Sequence, residues 1–336
     1  MSVERVIGAA VVGVVAWAFL DSKKSPAPEL QALFERFHDA IKLEENDERR
    51  KLREKRDILL EMLKKSLAVQ SLAFESFHQG SYAMRTGVVP KDGNYDIDIG
   101  LIFECSQERF PDPVTLKCLL RDALTGSNRS VRIRRACVTV TYMIRGQPGY
   151  HVDLALYLKE NNGRLLLAKG HEFAGAEQRE WAPSAPEKLT KYVLSRFIGE
   201  DQAQLRRCIR YLKRWRDENF VTGAPLSIAL TLAAAHWFEP RRTKGKAYID
   251  LDALYFLVKT MRQNFGNRWV PNRLAVPLPG FMKADLMAGL TDVQMLVFRE
   301  RLSALECALD HCRDGAAAVA AADILAAHFG SEFPHL

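Results

Sequence analysis

Two aspartates, Asp96 and Asp98, stand two residues apart in a run of β-forming residues, YDIDIGLIF at 95–103. Alternation along a strand puts both carboxylates on one face, ~7 Å apart, with Ile97 and Ile99 on the other. A second such run, YHVDLALYL at 150–158, carries a lone acid, Asp153, between Val152 and Leu154. If the two strands lie side by side, the three carboxylates converge. Three hard oxygen donors in one cleft suit Mg²⁺ or Mn²⁺, and paired ions can clamp the attacking and leaving oxygens of a phosphoryl transfer. Upstream, Gln79-Gly80-Ser81 precedes a connector punctuated by Gly and Pro. Glycine lets backbone N–H groups approach a polyphosphate closely, and the Ser81 hydroxyl can hydrogen-bond a β- or γ-phosphate oxygen. Each piece alone is common, and Asp96 and Asp98 could equally be polar positions on a half-buried sheet. Their order and spacing together carry the signal. Nothing pairs His78 or His151 with a nucleophile, so both are read as structural.

These residues need elements to hold them. The run at 95–103 reads as a strand, followed by strands at about 131–144 and 150–158 with a turn at Gly146–Gly149 between them. From Glu29 to about Leu67 the spacing of Leu30, Leu33, Phe34, Phe37 and Ile41 predicts one long helix, whose charged middle, NDERRKLREKR, is solvated. Leu59, Leu60 and Leu63 resume its apolar stripe. From Asp201 onward the pattern is helical, with no further strand, and the alanine-rich stretch 313–328 predicts a last helix. The fold class is α+β: a mixed sheet with flanking helices, and a helical C-terminal lobe. The expected division is an apolar segment and linker at 1–28, a core at 29–200 that includes the long helix, and a helical lobe at 201–336. The second boundary follows the stretch Pro183–Pro186.

Composition narrows the partners. With 48% hydrophobic and 26% charged residues, the chain excludes wholesale disorder. A formal charge of +7 favours acidic ligands: nucleotides, nucleic acid or anionic lipid. The six cysteines show no CxxC pair and no zinc-finger spacing, and read as buried thiols of a reducing cytosol. Residues 6–20, VIGAAVVGVVAWAFL, carry no charge and are followed by Lys23 and Lys24. Such a helix spans about 22 Å, short of a ~30 Å hydrocarbon core. The expectation is an anchor at the inner membrane with the catalytic lobes in the cytoplasm, set against a short apolar helix packed on the protein or an oligomerisation element.

QGSYAMRTGVV followed by YDIDIG resembles the polymerase-β-like nucleotidyltransferases, specifically the bacterial cGAS/DncV-like branch that makes cyclic oligonucleotides in anti-phage defence. The resemblance runs from about residue 29 to the C-terminus. It implies Asp96 and Asp98 as ligands of both metals and Asp153 as the third acid, beside the attacking 3′-hydroxyl. LRRCIRYLKRWRDENF resembles the family's helix that supplies a triphosphate-binding lysine, here Lys213, with Leu205, Cys208, Ile209, Leu212 and Trp215 on its apolar face. Pro225-Leu226-Ser227 resembles the second serine contact to the donor phosphates. Arg132, Arg134, Arg135 and Arg145 have no such support. The chain departs from bacterial cyclic GMP-AMP synthases in carrying Met84 where they resemble one another in a base-stacking aromatic. Stacking would then fall to Tyr82 or to a residue of the C-terminal lobe. The zinc-binding insertion of animal cyclic GMP-AMP synthase is absent, so activation by double-stranded DNA through it is not expected.

The resemblance implies a Mg²⁺-dependent enzyme, with Mn²⁺ as a substitute, that joins ATP, GTP or other nucleoside triphosphates into a cyclic di- or trinucleotide. A downstream effector protein would read the product, and no nucleic-acid template is expected. Gln79, Gly80, Ser81, Lys213 and Ser227 would bind nucleotide. The rival readings are a linear oligonucleotide synthetase or template-independent polymerase using the same acids, and a catalytically inactive nucleotide-binding scaffold at the membrane.

Overall fold

The structure, a computed structural model, describes residues 28–43, 47–68, 71–144, 146–266 and 272–336. The apolar segment 6–20 and the linker 21–27 lie outside the described residues. Two helices come first, α1 (Pro28–Ile41) and α2 (Asp47–Ala68), then strand β1 (Phe74–His78), the short helix α3 (Gly80–Met84) and β2 (Tyr95–Phe103). Helix α4 (Pro113–Leu124) leads to β3 (Arg129–Ile133), β4 (Val138–Ile144), β5 (Gln147–Lys159), β6 (Leu165–Lys169) and β7 (Glu180–Ser184). The C-terminal part holds α5 (Pro186–Leu194), α6 (Gly199–Asn219), α7 (Ser227–Trp237) and α8 (Asp250–Gln263). A hairpin of β8 (Pro277–Leu278) and β9 (Phe281–Asp285) precedes α9 (Asp292–Arg313) and α10 (Ala318–Phe329).

The expected α+β architecture, a mixed sheet with flanking helices and a helical lobe, is what the chain adopts. Seven strands of the described residues form one sheet, ordered β1-β2-β5-β4-β3, with β6 on β5 and β7 on β6. The pair β2–β5 is parallel, and the other pairs are antiparallel. Ile97, Ile99, Val138, Val140, Val152 and Leu154 are buried in a core with Leu59 and Leu63 of α2 and Leu116 and Leu120 of α4. Because side chains alternate, the opposite face of these same strands receives Asp96, Asp98, Thr139, Thr141, His151 and Asp153.

Three expectations are corrected. The single helix from Glu29 is two helices, because its two apolar stripes serve different cores. Leu30, Leu33, Phe34, Phe37 and Ile41 of α1 pack among the C-terminal helices, whereas Leu52, Leu59, Leu63 and Leu67 of α2 pack on the sheet. Each such buried side chain contributes ~1.5–3 kcal/mol, so neither stripe is free to follow the other. After α1 the chain is tied to 87–89 instead: the amide of Val89 donates to Ile41 and that of Leu43 to Gly87. With α1, Val193 of α5 also packs among the C-terminal helices. The expected strand 131–144 is the hairpin β3–β4, and β8–β9 adds strands where only helices were expected. Of the cysteines, Cys208 and Cys312 are buried, Cys105, Cys118 and Cys137 are half-buried, and Cys307 is exposed.

Candidate active site

The parallel pairing of β2 and β5 sets Asp98 directly opposite Asp153 and Asp96 opposite His151. The antiparallel pairing of β5 and β4 sets Asp153 opposite Thr139 and His151 opposite Thr141. Two polar rows thus cross three strands. Thr139 donates its hydroxyl proton to Asp153 Oδ1 at 2.5 Å, and Thr141 Oγ1 lies 2.9 Å from His151 Nδ1.

Close packing and like charge act together here. Burial, then the charges of Asp96 and Asp153, push the Asp98 carboxyl up to about 7, against the pull of Lys213. Asp96 keeps solvent access, but the protein around it and the charge of Asp153 raise its carboxyl as well. Neither Asp96 nor Asp98 takes a hydrogen bond from another side chain among the described residues, so their oxygens remain for a cation. Hard carboxylate donors on adjacent strands are the set that suits a divalent ion such as Mg²⁺. Among the described residues no group of three or more His, Cys, Asp or Glu side chains is gathered tightly enough to enclose an ion.

A cavity of about 490 Å³ opens beside these acids. Its wall brings together Asp96 and Asp98 with Gln79, Gly80, Ser81, Lys213 and Ser227. Asp153 is not in that wall and reaches the site through its row with Asp98. Gly80 has φ +64 and so close an approach to Asp98 that a Cβ built on it would stand 1.9 Å from Oδ2. Only glycine combines that backbone angle with that contact. The Gln79 amide donates to the Asp98 carbonyl at 3.1 Å, and its side-chain oxygen accepts from Tyr157 at 2.8 Å.

Lys213 lies on α6 but is buried rather than solvated. Its Nζ donates to the Thr86 carbonyl at 2.9 Å and to Thr86 Oγ1 at 3.2 Å. Burial lowers its ammonium to about 8, opposed by Asp96, abetted by Arg210 and opposed again by Asp98. Thr86 also donates its amide to the Ser81 carbonyl at 3.0 Å, so one residue ties the Ser81 turn to Lys213. Ser227 is the first residue of α7, where a helix N-terminus favours a phosphate oxygen.

The expected aromatic platform is not Tyr82. Its ring is stacked on His78 at 4.6 Å, with the Arg49 guanidinium 4.3 Å from its centroid, and it lies outside the cavity wall. Met84, Val88, Pro90, Leu189, Ile228 and Leu278 supply apolar wall instead. His78 also meets Arg56 at 2.9 Å, away from the acids, whereas His151 shares their face. Sequence reasoning missed Thr86, Thr139 and Tyr157. No local pattern marks them, because each acts on a residue distant in the chain. Arg132, Arg134 and Arg135 lie outside the cavity wall, and Arg145 lies outside the described residues. No helix among the described residues is long and apolar enough to cross a membrane.

Residues 75–157 match the family described as cyclic GMP-AMP synthase DncV-like, nucleotidyltransferase domain. The chain resembles the CD-NTase CdnG of Bradyrhizobium diazoefficiens, solved in complex with GTP, at 18% identity and a TM-score of 0.69 over 93% of this chain and 97% of that one. It resembles apo DncV of Vibrio cholerae at 16% identity and 0.67, over 90% and 96% of the two chains. It resembles Escherichia coli MS115-1 CdnC, solved with ATP, at 16% identity and 0.64, over 90% and 98%. At these identities the likeness is one of fold.

Proposed function

We propose that this chain, a DncV-like nucleotidyltransferase by the match of residues 75–157, joins ribonucleoside triphosphates into a cyclic di- or trinucleotide. The observation that carries the reading is the row Asp98–Asp153, with Asp96 beside it, at the edge of a cavity that also holds Ser81, Lys213 and Ser227. Acids and phosphate-binding groups in one cavity fit a triphosphate whose α-phosphorus lies near the carboxylates. A divalent cation held by Asp96, Asp98 and Asp153 would lower the pKa of a ribose hydroxyl and offset the charge of the departing pyrophosphate. Ser81, Lys213 and Ser227 hold the donor triphosphate. Asp153, on the far side of Asp98, orients the acceptor ribose. Attack of its hydroxyl on the α-phosphorus breaks the bond to pyrophosphate, and a second attack within the linear intermediate closes the ring.

Structures of relatives with GTP or ATP support such substrates, and V. cholerae DncV has been solved with the linear intermediate 5′ pppA(3′,5′)pG. The product would signal to an effector protein in anti-phage defence, a role that rests on the resemblance. A linear oligonucleotide synthetase is the second reading, since the same acids serve it. Incubation with four labelled triphosphates and Mg²⁺, then phosphatase, separates the two. A phosphatase-resistant product of cyclic mass supports ring closure, and only linear species with 5′-triphosphates overturn it. Attachment to a membrane through residues 6–20 is a separate proposal: the full chain should sediment with membranes and a chain starting at Ser25 should not. Equal solubility of both without detergent would end it.

A further inference from the structure

We infer that Thr139 is a positioning residue that holds Asp153 by one carboxylate oxygen and so aims the other at the reacting groups. The inference rests on the reading of Asp153 as the third acid. The register carries it: Asp98, Asp153 and Thr139 are successive partners across β2, β5 and β4. Asp153 therefore stands between a like charge on one side and a hydroxyl donor on the other. Repulsion from Asp98 and the 2.5 Å hydrogen bond from Thr139 act in the same direction on Oδ1, toward β4. Oδ2 is left for the site.

Proton accounting supports the same direction. A threonine hydroxyl has a single proton, and here it is committed to Asp153. Cys137 Sγ lies 3.7 Å from Thr139 Oγ1, so the thiol must be the donor in that contact. Burial pushes this thiol up to about 12, which keeps it protonated and able to donate. Thr139 is itself buried, at 7% exposure, with its neighbours Val138 and Val140 in the sheet core. Its χ1 is stiff, as in any β-branched residue on a packed strand, so the donor is fixed before substrate arrives. A carboxylate that must meet a cation and a ribose hydroxyl gains from such fixing, because groups that orient ligands typically alter affinity or activity by 10–100-fold.

The test is a double-mutant cycle on Mn²⁺ affinity, read by electron paramagnetic resonance of the full chain without nucleotide, with turnover measured alongside. The proteins are wild type, Thr139→Val, Thr139→Ser, Asp153→Asn and the double variant carrying Thr139→Val with Asp153→Asn. Thr139→Val should weaken Mn²⁺ binding about tenfold and lower kcat by about 10–100-fold, with KM for the triphosphates within about twofold. Thr139→Ser, which restores the hydroxyl, should recover most of both losses. In the Asp153→Asn background the valine change should add nothing. If Thr139→Val folds and binds Mn²⁺ as wild type, or costs as much in the Asp153→Asn background as in the wild type, Thr139 does not act through Asp153. Should the valine variant fail to fold, Thr139→Ala removes the same hydroxyl and takes its place in the cycle. If Asp153→Asn itself keeps wild-type affinity and turnover, the third-acid reading fails instead, a result the cycle separates from failure of the Thr139 inference.

Discussion

Gly80→Ala should damage turnover far more than stability. The alanine Cβ would lie 1.9 Å from Asp98 Oδ2, 2.7 Å from Cγ and 2.9 Å from Cβ, where real contacts keep to 3.0 Å or more. Bringing the 1.9 Å contact with Oδ2 to 3.0 Å takes about 1 Å, so either the Asp98 carboxylate swings away by that much or the Gly80–Met84 turn retreats. A misplacement of that size at a reacting centre costs on the order of 100-fold in rate. Stability responds differently. A non-glycine residue at φ +64 costs ~1–2 kcal/mol, partly offset by ~0.4–1 kcal/mol of lost freedom in the unfolded chain. The net is about 1 kcal/mol, or a fall in Tm of ~1–2 °C for a chain of this size. Pyrophosphate release from a nucleoside triphosphate with Mg²⁺, alongside a thermal melt, measures both. Turnover within threefold of wild type in a folded Gly80→Ala protein would refute the argument that Asp98 must sit against this glycine.

Asp98 makes cation binding pH-dependent. Its carboxyl holds a proton up to about 7, against 3.8 unperturbed, so the cation must displace that proton and Mn²⁺ affinity should rise from pH 6 to pH 8. The sign for stability is opposite: a raised carboxyl stabilises the fold below the unperturbed value and loses that contribution as pH climbs through about 7. Melts of the cation-free protein should therefore weaken from pH 5 to pH 8, by on the order of 2–4 kcal/mol, and Mg²⁺ should reverse the trend; flat profiles would contradict it. Lys213→Met should raise KM for the donor triphosphate by ~10–150-fold, as loss of a charged hydrogen bond does. In the wild type, triphosphate affinity should fall as pH passes about 8, where Lys213 gives up its proton; isothermal titration at pH 7 and pH 9 reads this, and equal affinities would count against a phosphate contact. Phe37→Ala should cost ~3–5 kcal/mol in chemical denaturation, because this ring is fully buried against Tyr211, Phe329 and Phe333; a loss under 1 kcal/mol would show that α1 is not integral to the helical core.

The two β-strands bearing acids were legible because chemistry and periodicity coincide in them. Asp96 and Asp98 alternate with buried Ile97 and Ile99, and Asp153 lies between buried Val152 and Leu154. Strand adjacency was an inference from that pattern, and the register pairs Asp98 with Asp153. What stayed hidden depends on long-range contact. The break after Ile41 carries no proline and follows from the competition of two cores for neighbouring stripes. Lys213 reads as one basic residue among many on its helix, yet the packing of Thr86 against α6 buries it. Thr139 looks like any strand threonine until the β4–β5 register brings it to Asp153. Tyr82 has the ring that base stacking needs, but α2 covers it with Arg49 and β1 with His78.

The most direct test of the central claim is pyrophosphate release and product mass for the full chain given ATP, GTP, CTP and UTP with Mg²⁺, set beside Asp96→Asn and Asp98→Asn. The account predicts cation-dependent release of pyrophosphate with a cyclic product from the wild type. It predicts loss of both in either variant, with folded structure retained on thermal melting. Near-normal Mg²⁺-dependent turnover in Asp98→Asn would contradict it.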